Sequence, residues 1–174
     1  LQTGRFTFGC LNNPAKYAPK ILSSWAEILR RLPKARLLLK YAGLEHPSLA
    51  NRFADELTAN GARPEQLIIE GGGNNLEMMS AYHRIDLALD TQPYSGGVTT
   101  CEALWMGVPV ITFPGQGFAS RHSTSHLTNA GLPQFVAADA AGYIALAVEW
   151  ASRIDELAAL RSNLRDQLRQ SPLC

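Results

Sequence analysis

Cysteine, unbalanced charge and long apolar runs are all scarce in this chain, and each scarcity removes a class of protein. Cys10, Cys101 and Cys174 are an odd number at scattered spacings with no metal-type pairing, which argues against a disulfide scaffold and fits a reducing cytoplasm. Sixteen Lys and Arg against fifteen Asp and Glu leave a formal net charge of +1, so neither nucleic acid nor an acidic membrane is an expected partner. No apolar run approaches a membrane span, and there is no signal peptide, internal repeat or low-complexity linker. The chain opens on Leu1 rather than Met and enters a strand-like segment almost at once, which leads us to expect an excised part of a larger protein.

Several ligand motifs are missing as well. No Gly-Lys-Ser/Thr follows Gly96 and Gly97, which excludes a Walker A loop, and the dinucleotide pattern G-x-G-x-x-G is absent. His122 and His126 are four apart, a spacing compatible with shared metal ligation. Ser123 stands where a zinc H-E-x-x-H motif needs glutamate, and no third ligand is evident, so a non-metal role is favoured. His83, just before a strand-like run, is most simply structural. No Ser–His–Asp or Cys–His assignment can be made from spacing.

What is present is one ordinary globular domain: 174 residues, 46% hydrophobic and 18% charged. Strand-like and helix-like segments alternate. RFTFGCLNN (5–13), ARLLLKYA (35–42), QLIIEG (66–71), IDLALD (85–90) and VPVITF (108–113) read as strands, with QFVA (134–137) as a minor one. Between them, Ile21, Leu22, Trp25, Ile28, Leu29 and Leu32 share one helical face, and Leu49, Phe53 and Leu57 recur every four residues before Gly61. NLEMMSAYHR (75–84) and ASRHSTSHLTNAG (119–131) also read as helical, and 140–174 is helix-rich. Such alternation implies right-handed crossovers and an α/β fold, a three-layer doubly wound parallel sheet in a single unit over 1–174.

Ligands of such sheets bind beyond the carboxyl ends of the strands, which directs attention to 10–19, 70–76, 90–100 and 114–119. After Asp90 the chain turns through TQPYSGGVTT into a helix carrying Glu102. Gly96 and Gly97 remove side chains where free N–H groups at a helix start can face a phosphate. Thr99-x-x-Glu102 is equally a capping-box pattern, and spacing does not separate capping from ligand binding. Lys16, beside Asn12 and Asn13 after the first strand, reaches the same helix end only if that strand lies next to 85–90; otherwise it is a solvated loop lysine. EGGGNN (70–75) is either a flexible turn or a place where main-chain groups meet the edge of a nucleobase.

The run IDLALDTQPYSGGVTTCEALWMGVPVITFPGQGFASRHSTSHLTNAGLP resembles the signature region of the O-linked N-acetylglucosamine transferase family, tetratricopeptide-repeat glycosyltransferases of two-lobed GT-B fold. FGCLNNPAKYAP, ILSSWAEILRRLPKARLLLK and LRDQLRQSPL fit the same family, so the resemblance spans almost the whole chain. It implies the Rossmann-like C-terminal lobe of a glycosyltransferase, of a bacterial-type member, that moves N-acetylglucosamine from UDP-GlcNAc to Ser or Thr of a protein acceptor in the cytoplasm. A first lobe and tetratricopeptide repeats would lie outside this sequence, and the fragment alone is expected to be inactive. By resemblance Lys16 contacts the diphosphate and stabilises the leaving group, with Asn13 beside it. Gly97, Val98, Thr99 and Thr100 hold phosphate oxygens, Glu102 binds the ribose, main-chain groups around Gly73 meet the uracil, and Asn75 and Met78 lie near base and ribose. No cofactor is implied beyond the UDP-sugar substrate, and no metal is required if Lys16 and the helix end supply the positive charge. Better-known animal members have lysine and histidine at Asn75 and Met78 and histidine at Gly97, so contacts there are expected to differ. A UDP-glucose-dependent asparagine-modifying enzyme, a nucleotide-sugar epimerase and a non-catalytic nucleotide-binding module remain alternatives.

Overall fold

Five parallel strands make one sheet: β1 (Thr7–Cys10), β2 (Arg36–Lys40), β3 (Leu67–Glu70), β4 (Leu87–Leu89) and β5 (Val110–Ile111). This is a computed structural model that describes residues 4–174; Leu1, Gln2 and Thr3, where the expected 1–174 unit begins, lie outside the described residues. The strand order is β3-β2-β1-β4-β5. Phe8 of β1 is in register with Leu37 on one side and Leu87 on the other. A strand flanked on both edges and covered on both faces has no solvated side, and β1 is accordingly buried at all four positions.

Among the described residues seven α-helices cover the sheet: α1 (Pro19–Arg31), α2 (Pro47–Ala59), α3 (Asn75–Ala81), α4 (Val98–Trp105), α5 (His122–Asn129), α6 (Ala140–Ser152) and α7 (Ile154–Arg169). In α1, Pro19 sits at the first helical position, where a missing N–H breaks no helical bond. Ile21, Leu22, Trp25, Ile28 and Leu29 form its buried stripe. Arg30 and Arg31 occupy its last turn, where the helix dipole favours positive charge, and both bond Glu27. α1 packs on α2 and α6, whereas α4 packs on α5 and α7, giving helices on the two faces of the sheet. Right-handed crossovers produce this three-layer arrangement, and Gly61 closes α2 at a φ of 102° that favours glycine.

Three expected elements are shorter or different. QFVA is no strand: Pro133–Phe135 is a 3-10 turn, and only Val136 makes a bridge, to Thr112. Pro133 lacks the donor that a ladder needs, and the chain then leaves the sheet for α6, whose start Asp139 caps through the Gly142 N–H. The helix expected over 75–84 stops at Ala81 and tightens to a 3-10 turn at Tyr82–Arg84. The run 108–113 pairs with β4 as β5 only at Val110–Ile111; beyond it the backbone of Thr112 donates to Phe135 O and accepts from the Ala137 N–H, at the Val136 bridge.

Candidate functional site

The order β3-β2-β1-β4-β5 places the chain reversal between β1 and β4, the crevice where open α/β sheets take their ligands. Their pairing meets the condition on which the reach of Lys16 depended. Below the rim the crevice is nearly filled: a cavity of only about 10 Å³ remains, lined by Asn12, Tyr82, Thr99 and Thr100 among others. A ligand of any size must therefore sit on top of the strand ends.

The turn from β4 into α4 is pinned from several sides. Asp90, fully buried at the end of β4, accepts from the Gly96 N–H at 2.7 Å and from the Thr112 hydroxyl at 2.6 Å. Burial pushes its carboxyl above the ordinary value, and those two donors oppose the shift. Ser123 donates to Gly96 O at 2.9 Å and shares a 2.7 Å hydrogen bond with the Thr100 hydroxyl. A Cβ at Gly96 would lie 2.4 Å from Thr100 Oγ1 and 3.1 Å from Asp90 Oδ1, so the close approach itself requires glycine.

Lys16 comes to this turn from the β1 side. Its Nζ donates to Ser95 O at 3.1 Å and to Asn12 Oδ1 at 3.5 Å, and lies 4.1 Å above the Tyr94 ring. Burial lowers the pKa of the ammonium, and the charge of Asp90 acts against that shift. Thr99 donates to the same Asn12 Oδ1 at 2.7 Å, so one buried asparagine ties the β1 loop to the first turn of α4.

α4 begins at Val98 after Gly97, with no side-chain cap. The Thr99–Glu102 capping box is not formed: Thr99 lies inside the helix, and its hydroxyl is committed to Asn12. The first N–H groups of a helix have no intrahelical acceptor and carry partial positive charge, so this end stays open to an anion. One turn on, Glu102 is half-buried, its carboxylate accepts no hydrogen bond among the described residues, and burial raises its pKa.

The structure thus gathers Lys16, Gly97, Val98, Thr99 and Glu102 around one helix end. Thr100 belongs to the same turn but faces inward, its hydroxyl on Ser123 and its N–H on Gly97 O. Asn13 spends its side chain on the Ala15 N–H and lines a separate pocket of about 420 Å³ with Tyr17 and Arg52. Gly73, Asn75 and Met78 form a second group at the exit of edge strand β3; Gly73 and Asn75 are exposed, and Met78 packs on the core. The Tyr82 hydroxyl, donating to Thr99 O at 3.1 Å, joins the end of α3 to α4.

Spacing in the sequence does not single out Asn12, Asp90, Tyr94, Ser95 or Ser123, whose roles depend on contacts far along the chain. Asp90 alone left a signal, as a carboxylate closing the apolar run IDLALD. His122 heads α5 with its ring edge-on to Phe118 at 4.7 Å and Tyr94 at 6.1 Å. Among the described residues no His, Cys, Asp and Glu side chains group as a metal site, and no helix is long and apolar enough to cross a membrane.

A sequence profile of glycosyl transferase family 41 matches residues 3–174. The chain is 39% identical over 175 residues to a Petunia hybrida protein described as probable UDP-N-acetylglucosamine–peptide N-acetylglucosaminyltransferase SPINDLY, covering 100% of this chain and 19% of that protein. A Caenorhabditis elegans UDP-N-acetylglucosamine–peptide N-acetylglucosaminyltransferase is 31% identical over 156 residues, covering 88% of this chain and 13% of its own length. Among solved structures, a mutant of the Thermobaculum terrenum O-GlcNAc transferase superposes with a TM-score of 0.92 at 40% identity, over 95% of this chain and 32% of that one. The chain therefore spans about a fifth of the curated plant relatives it matches.

Proposed function

The chain belongs to glycosyl transferase family 41, and from that premise we propose that it is the donor-binding lobe of a protein O-glycosyltransferase using UDP-N-acetylglucosamine. The observation that carries this reading is the uncapped start of α4, with Lys16 Nζ held 3.1 Å from Ser95 O just before it. The diphosphate lies on the N–H groups of Gly97, Val98 and Thr99, beside Lys16. Thr100 and Asn13 support the two loops rather than touching phosphate. Glu102, a carboxylate without a protein partner, accepts from the ribose hydroxyls. The uracil extends toward the main chain of Gly73, with Asn75 and Met78 at its edge.

Transfer forms a bond from the acceptor hydroxyl oxygen to the anomeric carbon and breaks the bond between that carbon and the phosphate oxygen, and the electron pair stays with departing UDP. Lys16 and the helix end stabilise that charge, so no divalent metal is called for. The proton of the acceptor hydroxyl passes to a base in a first lobe outside this chain. That lobe, the tetratricopeptide repeats and the protein acceptor are the expected partners, in the cytoplasm, and residues 1–174 alone should transfer no sugar.

Lys16→Ala in the full-length protein tests the reading. UDP affinity measured by calorimetry should fall, and kcat/KM for transfer should drop about a hundredfold or more, the scale of removing one preorganised charge donor. Unchanged binding and kinetics with the fold intact would overturn the assignment.

A further inference from the structure

His122 stands at the mouth of the uncapped turn and has no part in the donor contacts described above. Its position is set by Ser95, whose hydroxyl accepts from the His122 N–H at 3.1 Å while its carbonyl accepts from Lys16. One residue thus anchors both the lysine and the imidazole-bearing helix start to the same turn. The rings of Phe118 and Tyr94 brace the imidazole edge-on, at 4.7 and 6.1 Å. Tyr94 is also the ring over which Lys16 Nζ sits.

Gly97 defines what the imidazole faces. Its φ of −113° lies outside the left-handed region that favours glycine. What the absent side chain leaves is space. Around a Cβ built there, His122 Nδ1, at 3.9 Å, is the sole heavy atom within 4 Å outside the chain neighbours. The notch thus has unpaired helix N–H groups on one wall and an imidazole nitrogen on another. The ring makes no hydrogen bond to protein among the described residues, so its N–H is available to an acceptor brought in from outside.

We propose that His122 is a second phosphate ligand of the donor site, its imidazole donating to a diphosphate oxygen. The inference rests on reading this face as a UDP-sugar site. Two cationic or hydrogen-bonding side chains on different elements then grip the same leaving group, one from the β1 loop and one from α5. A planar imidazole braced by two rings loses little freedom on binding, so its hydrogen bond is made with little ordering cost.

Calorimetric titration of the full-length protein with UDP and with uridine tests this. His122→Phe keeps the ring contacts to Phe118 and Tyr94 but removes the N–H; His122→Asn keeps a donor. For His122→Phe we expect UDP affinity to fall about tenfold, as for one lost hydrogen bond to a charged group, with uridine affinity unchanged. His122→Asn should recover part of the loss. If His122→Phe binds UDP like the parent protein while Lys16→Ala does not, the role of His122 is overturned and the donor site stands. An equal fall for UDP and uridine assigns His122 to packing and overturns the proposal as well. If the parent protein binds no UDP, or neither substitution alters its affinity, the donor site itself is overturned and His122 with it.

Discussion

The two glycine-rich turns of this lobe, 70–75 and 95–98, look alike in sequence and end in opposite ways. After β3, Asn74 accepts from the Glu77 N–H at 3.0 Å and Glu77 accepts from the Asn74 N–H at 2.8 Å, a complete capping box. After β4, α4 starts with no side-chain cap. The glycines differ too. A Cβ at Gly72 would meet the Ala42 backbone N at 2.7 Å, and one at Gly96 would meet Thr100 Oγ1 at 2.4 Å, so both are forced by close approach; Gly97 alone borders open space. A helix end that satisfies itself has little left to give a phosphate, whereas one whose side chains are tied elsewhere keeps its N–H groups free. Side chains at the first turn should therefore serve the helix, and the N–H groups of the second should serve an anion.

Gly96→Ala should produce the largest effect. The added carbon must displace Thr100 or the Asp90 contact, an overpacking cost of about 2–3 kcal/mol, and UDP binding should be lost with the turn geometry. Gly97→Ala is its control, with stability within about 0.5 kcal/mol of the parent. Denaturant melts of the pair separate the two glycines, and equal losses would break the distinction between pinned and open positions. Next in size, Asn74→Ala should cost about 1 kcal/mol by removing the cap, with UDP affinity changed by less than about threefold, since side-chain capping there serves the helix rather than the diphosphate. A large loss of UDP affinity with little loss of stability would reverse the assignment of the two turns.

Much of the fold was legible because its signals are local. Apolar runs marked β2 and β4, a strand-like run ending in polar turn residues marked β1, and the stripe from Ile21 to Leu29 marked α1. The parallel doubly wound order follows from strand–helix alternation. QFVA misled because apolar content cannot report that only one bridge forms. At the site the limit was again nonlocal. The pattern S/T/N-x-x-E fits both Thr99–Glu102 and Asn74–Glu77, but only the second caps its helix. Thr99 is taken away by Asn12, 87 residues earlier, and no window on the helix can register that. Ser95 likewise acts through Ala119 on the β5–α5 connection and His122 at the start of α5, so its hub position emerges only in three dimensions.

Glu102 carries the comparison to its smallest and most diagnostic effect. Glu77, at the capped turn, has its carboxylate bonded to the Asn74 N–H, whereas the half-buried carboxylate of Glu102 has no hydrogen-bond donor among the described residues. Burial raises its pKa above the ordinary value of 4.5, so across the interval between the two values the folded chain holds more proton than the unfolded chain. The sign follows: stability from this group is fully present below the ordinary glutamate range and falls as pH rises through the elevated value. Glu102→Gln removes the ionisation. Thermal melts should show the variant equal to the parent in acid and equal or slightly more stable at neutral pH, the difference growing upward through that interval. With uridine the order should invert, because the ligand stabilises the parent through the carboxylate and the variant less so. A neutral-pH loss of stability in the unliganded variant would mean that Glu102 has a structural partner, and the carboxylate would then be no more available to a ribose than that of Glu77.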